Sequence, residues 1–206
     1  MKKLMLSLLL LSALCSQSFG AVGCDLNDPD RDVKRFFPQS TGYKTAYMSV
    51  DKLGGETLLK EIEEKLGDNF SGLYETIDVP YTLYTIYQKD KIIGYIHGIN
   101  QKGQYGGLQV FLVYLPDLTI EDFYCQKLTS KKAKELRSRE FALQFNGLTF
   151  KDFENYDPKT AQGGSDKVKA LKNPNPQDDA DFKAILRAVK KNLILTKIFI
   201  NAKEAK

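Results

Sequence analysis

Between residues 81 and 127 apolar and polar side chains alternate in four short runs, and turns of a few residues separate them. The runs cover residues 81–88, 91–99, 108–115 and 120–127 and are rich in Tyr, Ile, Val and Phe, the composition of strands. Lys89-Asp90, the glycine-dense stretch Gly103 to Gly107, and Pro116-Asp117 are the breaks between them. Connections this short force neighbouring strands to run antiparallel. The predicted centre of the fold is therefore a four-strand meander. A further strand is expected upstream at 43–50, where Tyr43, Thr45 and Tyr47 alternate with Lys44, Ala46 and Met48.

The flanking stretches change period from two to between three and four. Leu58, Leu59, Ile62 and Leu66 share one face of a helix over 56–66, and Gly67 is placed to end it. Ala133, Leu136, Phe141 and Phe145 predict a helix over 130–145, capped by Ser130 and liable to break in two. The longest helical pattern spans 178–200, with Phe182, Ile185, Leu186, Val189, Leu193 and Ile194 on its stripe. Residues 33–37 suggest one turn that plants Phe36 and Phe37 in the core. The fold class that results is α+β: an antiparallel meander sheet packed with helices.

The chain begins outside this pattern. Lys2-Lys3 followed by an apolar run from Leu4 to Leu14 and by Ser18-Phe19-Gly20 has the form of a bacterial secretory leader, with cleavage before Ala21. The division expected is a leader at 1–20, an extended lead-in at 21–42 and one α+β domain at 43–206. The protein is expected to be exported to the periplasm or the cell surface. A rival reading takes Ala21-Val22-Gly23-Cys24 as a lipobox, with Cys24 lipidated. No apolar run in the mature chain is long enough to span a bilayer.

Composition narrows the function. Of 206 residues, 42% are hydrophobic and 27% charged, which is ordinary for a globular domain. The formal charge of +4 falls by two when Lys2 and Lys3 leave with the leader, which is no nucleic-acid footprint. Cys24 and Cys125 remain after the leader goes, either as a disulfide in an oxidising compartment or as two separate thiols. No Cys-x-x-Cys or His/Cys cluster suggests zinc, haem or a redox pair. Lys190-Lys191 reads as a solvated helix face. The Asp residues at 25, 28, 30 and 32 lack the glycine and terminal glutamate of a calcium loop and read as a solvated lead-in.

Candidate chemistry is sparse. His97, the single histidine, falls in a strand without a nucleophile motif and reads as a core histidine bonded to backbone. Gly103, Gly106 and Gly107 with Lys102 suit a hairpin turn better than an anion nest. Thr160-Ala161-Gln162-Gly163-Gly164-Ser165-Asp166-Lys167 offers hydroxyls, glycines and a lysine at a helix start, as a phosphate site or a surface loop would. Gln126, Lys127, Thr129 and Ser130 stand where a strand gives way to a helix. Such a corner can hydrogen-bond the edge of a flat heterocycle, or it is merely a corner.

A glycine turn before a strand, a strand ending in a polar corner, and a helix closing on Phe141-Ala142-Leu143-Gln144-Phe145-Asn146-Gly147 together resemble the FMN-binding domain family. That family includes exported flavin subunits of membrane redox pumps. The resemblance spans roughly residues 81–195. It implies non-covalent FMN, since the threonine motif for covalent flavin is missing from 160–165. It also implies electron transfer beside a membrane redox complex as partner. The contacts it implies are Gln126, Thr129, Ser130, Gln144 and Ser165, with Lys167 near phosphate. The alternative is a flavin-free relative serving as an exported binding or assembly module.

Overall fold

A computed structural model describes residues 23–204; the expected leader and the expected mature start at Ala21 lie outside them. Five strands form one sheet in the order β1-β2-β3-β4-β5, each antiparallel to its neighbours. They are β1 (Gly42–Met48), β2 (Tyr81–Gln88), β3 (Lys91–Lys102), β4 (Gly107–Tyr114) and β5 (Ile120–Leu128). The α+β meander expected from alternation is thus present, with the upstream strand on one edge. β3 runs three residues past the expected Ile99, because its pairing with β4 continues to Lys102↔Gly107.

Eight helices accompany the sheet among the described residues: α1 (Pro29–Phe36), α2 (Val50–Leu53), α3 (Gly55–Leu66), α4 (Ala133–Leu136), α5 (Arg139–Leu143), α6 (Phe150–Phe153), α7 (Asp166–Lys169) and α8 (Ala180–Glu204). None is long and apolar enough to cross a membrane. Gly67 ends α3 at φ 75, the left-handed cap the sequence suggested. The expected helix over 130–145 does break in two. Ser138 is extended, and its hydroxyl accepts from Phe141 N to start α5 afresh. Ser130 caps no helix; it accepts from Lys132 N in the turn before α4.

Strand alternation divides the interior in two. On one face Leu83, Ile99, Val110, Leu112, Tyr114 and Phe123 meet α8, α3 and the short helices in the main core. On the other, Tyr84, Ile86, Ile96, Phe111 and Val113 meet Cys24, Leu26, Val33 and Phe37. The lead-in is therefore a layer of the fold and no loose approach to it. Two strand glycines make this second layer close. A Cβ on Gly98 would stand 2.3 Å from the Phe111 ring, and one on Gly94 would stand 2.5 Å from the Phe37 ring. α1 is capped by Asp28, whose carboxylate accepts from Arg31 N, and its Asp32 is fully buried beside Arg35. The solvated reading of this Asp-rich stretch fails there.

The two sulfurs take different faces. Cys24 lies in the second layer and Cys125 in the main core, so the sheet stands between them and both are free thiols. The outer edge of β5 is closed. Ile120 exchanges backbone bonds with Gly147 and Leu148, and Arg137 donates to the carbonyls of Cys125 and Gln126. Phe141 and Phe145 seal the same strand. Phe145 stacks on Phe123 at 4.5 Å and 16°, and Phe141 meets both edge-on. The aromatic end of the predicted 130–145 helix thus belongs to the core.

Candidate functional site

The sheet's β3–β4 end holds a cleft. Its walls are the loop 68–75 and the hairpin 101–107, its floor is Arg187 of α8, and its volume is about 710 Å³. That volume suits a small-molecule guest. The hairpin glycines fit close neighbours. A Cβ on Gly107 would stand 2.7 Å from Tyr74 Oη, and one on Gly103 would stand 2.8 Å from Asp181 Oδ1. Gly103 N donates to Gly106 O across the turn, and Gln104 N donates to Asp181. These glycines make the hairpin turn the spacing favoured, and the turn forms one wall of the cleft.

Beneath the cleft lies an ionic floor that sequence reading missed. Arg187 uses all five of its N–H groups. Nε donates to Asp68 at 2.8 Å, Nη1 to Glu75 at 2.6 Å and Gln101 at 2.8 Å, and Nη2 to Asn69 O at 2.8 Å and Glu75 at 3.0 Å. Lys191, one helical turn on, donates to the same Glu75 carboxylate and to Asn100 O at 2.7 Å. Its side chain is wholly buried. Burial would raise the Glu75 carboxyl, but the Lys191 ammonium and the Arg187 guanidinium outweigh it and hold it below the usual range. Burial pushes Lys191 down to about 8, against the pull of Glu75. The floor is paired throughout, so it fixes the loop 68–75 in place.

Why the solvated reading of Lys190-Lys191 fails is plain from the helix. α8 has the sheet on one side and α3 and α6 on the other, so its burial is not confined to the apolar stripe. Lys190 reaches out of this layer to Tyr156 O at 2.6 Å. The sequence carries no local sign of this: Arg187 and Lys191, four residues apart, read as a basic face, and Glu75 lies 112 and 116 residues away.

His97 forms a second polar island, also against α8. Its Nδ1 is 2.8 Å from Thr196 Oγ1 and 3.0 Å from Asn192 Oδ1. Asn192 Oδ1 accepts from Tyr114 Oη at 2.8 Å, and Asn192 Nδ2 donates to His97 O. A proton on Nδ1 satisfies this set and leaves Nε2 as a buried lone pair without a partner, against the rings of Tyr81 and Phe199. Burial pulls the imidazole down to about 4, and the bonds to Asn192 only partly oppose it. This is the core histidine expected, bonded at Nδ1 to side chains in place of backbone.

The six residues named for flavin fall into two sets. Gln126 holds the chain's first described residues: its amide accepts from Asn27 N and donates to Asp25 O and Gln109. Thr129 packs against Gly106, and Ser130 is engaged by Lys132 N. Gln144 pairs through both amide atoms with the backbone of Lys172. Ser165 donates to Asp152 and caps α7, and Lys167 reaches toward Gly147 O. Gly147 is bonded to Ile120 at the start of β5, whereas Thr129 follows its end. Nine residues of strand, about 30 Å, divide Thr129 from Lys167's partner. The phosphate-friendly loop is folded on itself as well. A Cβ on Gly163 would meet Asn155 O at 2.1 Å, and Ser165 N donates to Asp152 O. As one cradle for FMN these residues do not fit.

Replacing Gln126 by alanine is expected to cost about 1–2 kcal/mol, since three bonds to the lead-in and to Gln109 go at once. A urea titration reads it, and an unshifted midpoint would show that the lead-in is held without this amide.

What the fold and cleft define is a five-strand antiparallel α+β domain with a hairpin-walled cavity. No metal-binding cluster of His, Cys, Asp or Glu occurs among the described residues. No protein-family model matches the chain, and no curated protein matches it.

Proposed function

We propose that the protein is an exported binding module whose guest occupies the cleft between the loop 68–75 and the β3–β4 hairpin. The observation that carries this reading is the paired ionic floor. Arg187, Glu75 and Lys191 are locked to each other and to backbone, which suits holding a ligand in a preformed cavity. The walls supply Leu73 and Tyr74 as apolar surface and Lys102 as an exposed cation. That combination suits a compact guest with a flat part and an acidic end. FMN is the guest to try first, since the family resemblance implies it. A membrane redox complex would then be the partner.

The test is a titration of purified protein with FMN, read by quenching of flavin fluorescence, repeated with Ser71→Trp. Ser71 is an exposed residue of the cleft wall, so an indole there fills the cavity without disturbing the core. Quenching at micromolar protein, weakened at least about tenfold by Ser71→Trp, is the expected result for flavin in the cleft. Quenching that ignores Ser71→Trp but falls with Lys167→Ala would move the guest to the far end of β5. No quenching leaves the flavin-free form of the reading. In that case Ser71→Trp should block whatever small molecule raises the melting temperature.

A further inference from the structure

Residues 23–27 cross the α1 side of the sheet as a strap. Gly23 O accepts from Asn100 Nδ2 at 3.1 Å, and Cys24 bridges in parallel to Tyr81. Asp25 accepts from Thr82 Oγ1 and from Gln126 Nε2, each at 2.8 Å. Leu26 N donates to Tyr84 Oη at 3.1 Å, and Asn27 N donates to Gln126 Oε1 at 2.8 Å. Every residue of the strap is therefore tied to β2, β3 or β5. Cys24 is 1% exposed and shares its cluster with Leu26, Val33, Phe37 and Phe111. Burial raises its thiol far above the usual range.

We infer that Cys24 stays a bare thiol in the mature protein, and that export ends in cleavage upstream of it, between Gly20 and Ala21, without lipidation. Lipid attachment to a leader cysteine happens before folding, so the question is whether the product can take up this structure. Cys24 is buried in one cluster with Leu26, Val33 and Phe37, so a diacylglyceryl group on Sγ would need that cluster to open or the strap to peel away with its bonds. Cleavage at a lipobox would also remove Gly23, whose carbonyl Asn100 binds, and would place an acylated terminus beside Tyr81. Cleavage before Ala21 keeps Gly23 and leaves the buried sulfur untouched. The inference stands apart from the identity of the guest in the cleft.

The experiment expresses the full chain in a two-membrane bacterial host fed a labelled fatty acid, then takes an intact mass. Expected are an unlabelled protein, a mass that begins at Ala21, release with the periplasmic fraction, and identical processing of Cys24→Ser. Label that disappears in Cys24→Ser, a mass that begins at Cys24, or a chain that keeps its leader would each overturn the inference. The wild-type label and mass decide the point even where the serine variant folds poorly. In the released native protein Cys24 should react with a thiol reagent only after urea is added, and rapid reaction without urea would also overturn it.

Discussion

Replacing Glu75 by alanine is expected to remove about 3–5 kcal/mol of stability, read as a fall in the urea midpoint. The carboxylate is the one group that both Arg187 and Lys191 address, and it is itself 5% exposed. Its loss leaves a wholly buried ammonium with one carbonyl and the Phe70 ring for company and takes two bonds from the guanidinium. The converse change is far milder. Lys191→Met removes a buried charge and keeps an unbranched chain of similar length, while Glu75 retains both contacts to Arg187. That variant should fall within about 1 kcal/mol of the parent. If Glu75→Ala also stays within about 1 kcal/mol, the ionic floor is not what fixes the loop 68–75. Guest binding should weaken in Glu75→Ala at temperatures where the protein is still folded.

The second large effect is on acid stability. His97 titrates near 6.5 in an unfolded chain and at about 4 in the fold, because burial disfavours the imidazolium. Between those values the unfolded chain binds a proton that the folded chain refuses. Stability is therefore full above about pH 6.5 and declines as the pH falls toward about 4, by about 3 kcal/mol in total. From about pH 7 to about pH 5 the share of this one residue is about 2 kcal/mol. His97→Gln can still donate to Thr196 or Asn192 but has no proton to take up, so its urea midpoint should lose that dependence. An equal decline in parent and variant would assign the acid sensitivity to the carboxylates, Glu75 first among them.

Much of the frame was legible because its signals are local. Alternation with short turns fixes β2 to β5 as antiparallel neighbours, and Gly67 marks where α3 ends by its own conformation. The split at Ser138 follows from the capping strength of a hydroxyl. The ionic floor was not legible, because Glu75 and Lys191 are 116 residues apart and neither carries a local mark of the other. The lead-in's place in the fold is illegible for a related reason. Its polar residues look solvated in sequence, yet Asp25 meets Thr82 and Gln126 at separations of 57 and 101 residues, and Asp32 is wholly buried. The residues that the family resemblance implies for flavin are mostly polar side chains at element ends. Ends are where side chains most often satisfy free backbone groups, and Ser130, Gln144 and Ser165 do that here.

The strap also sets an order of events. During synthesis the amino-terminal residues emerge first, but Gln126, which Asp25 and Asn27 need, emerges about a hundred residues later. Contacts so distant in sequence close slowly. The segment that is made first must wait for β5 before it can dock, and until then the apolar face carrying Phe111 and Ile86 lies open to any chaperone that arrives in the interval.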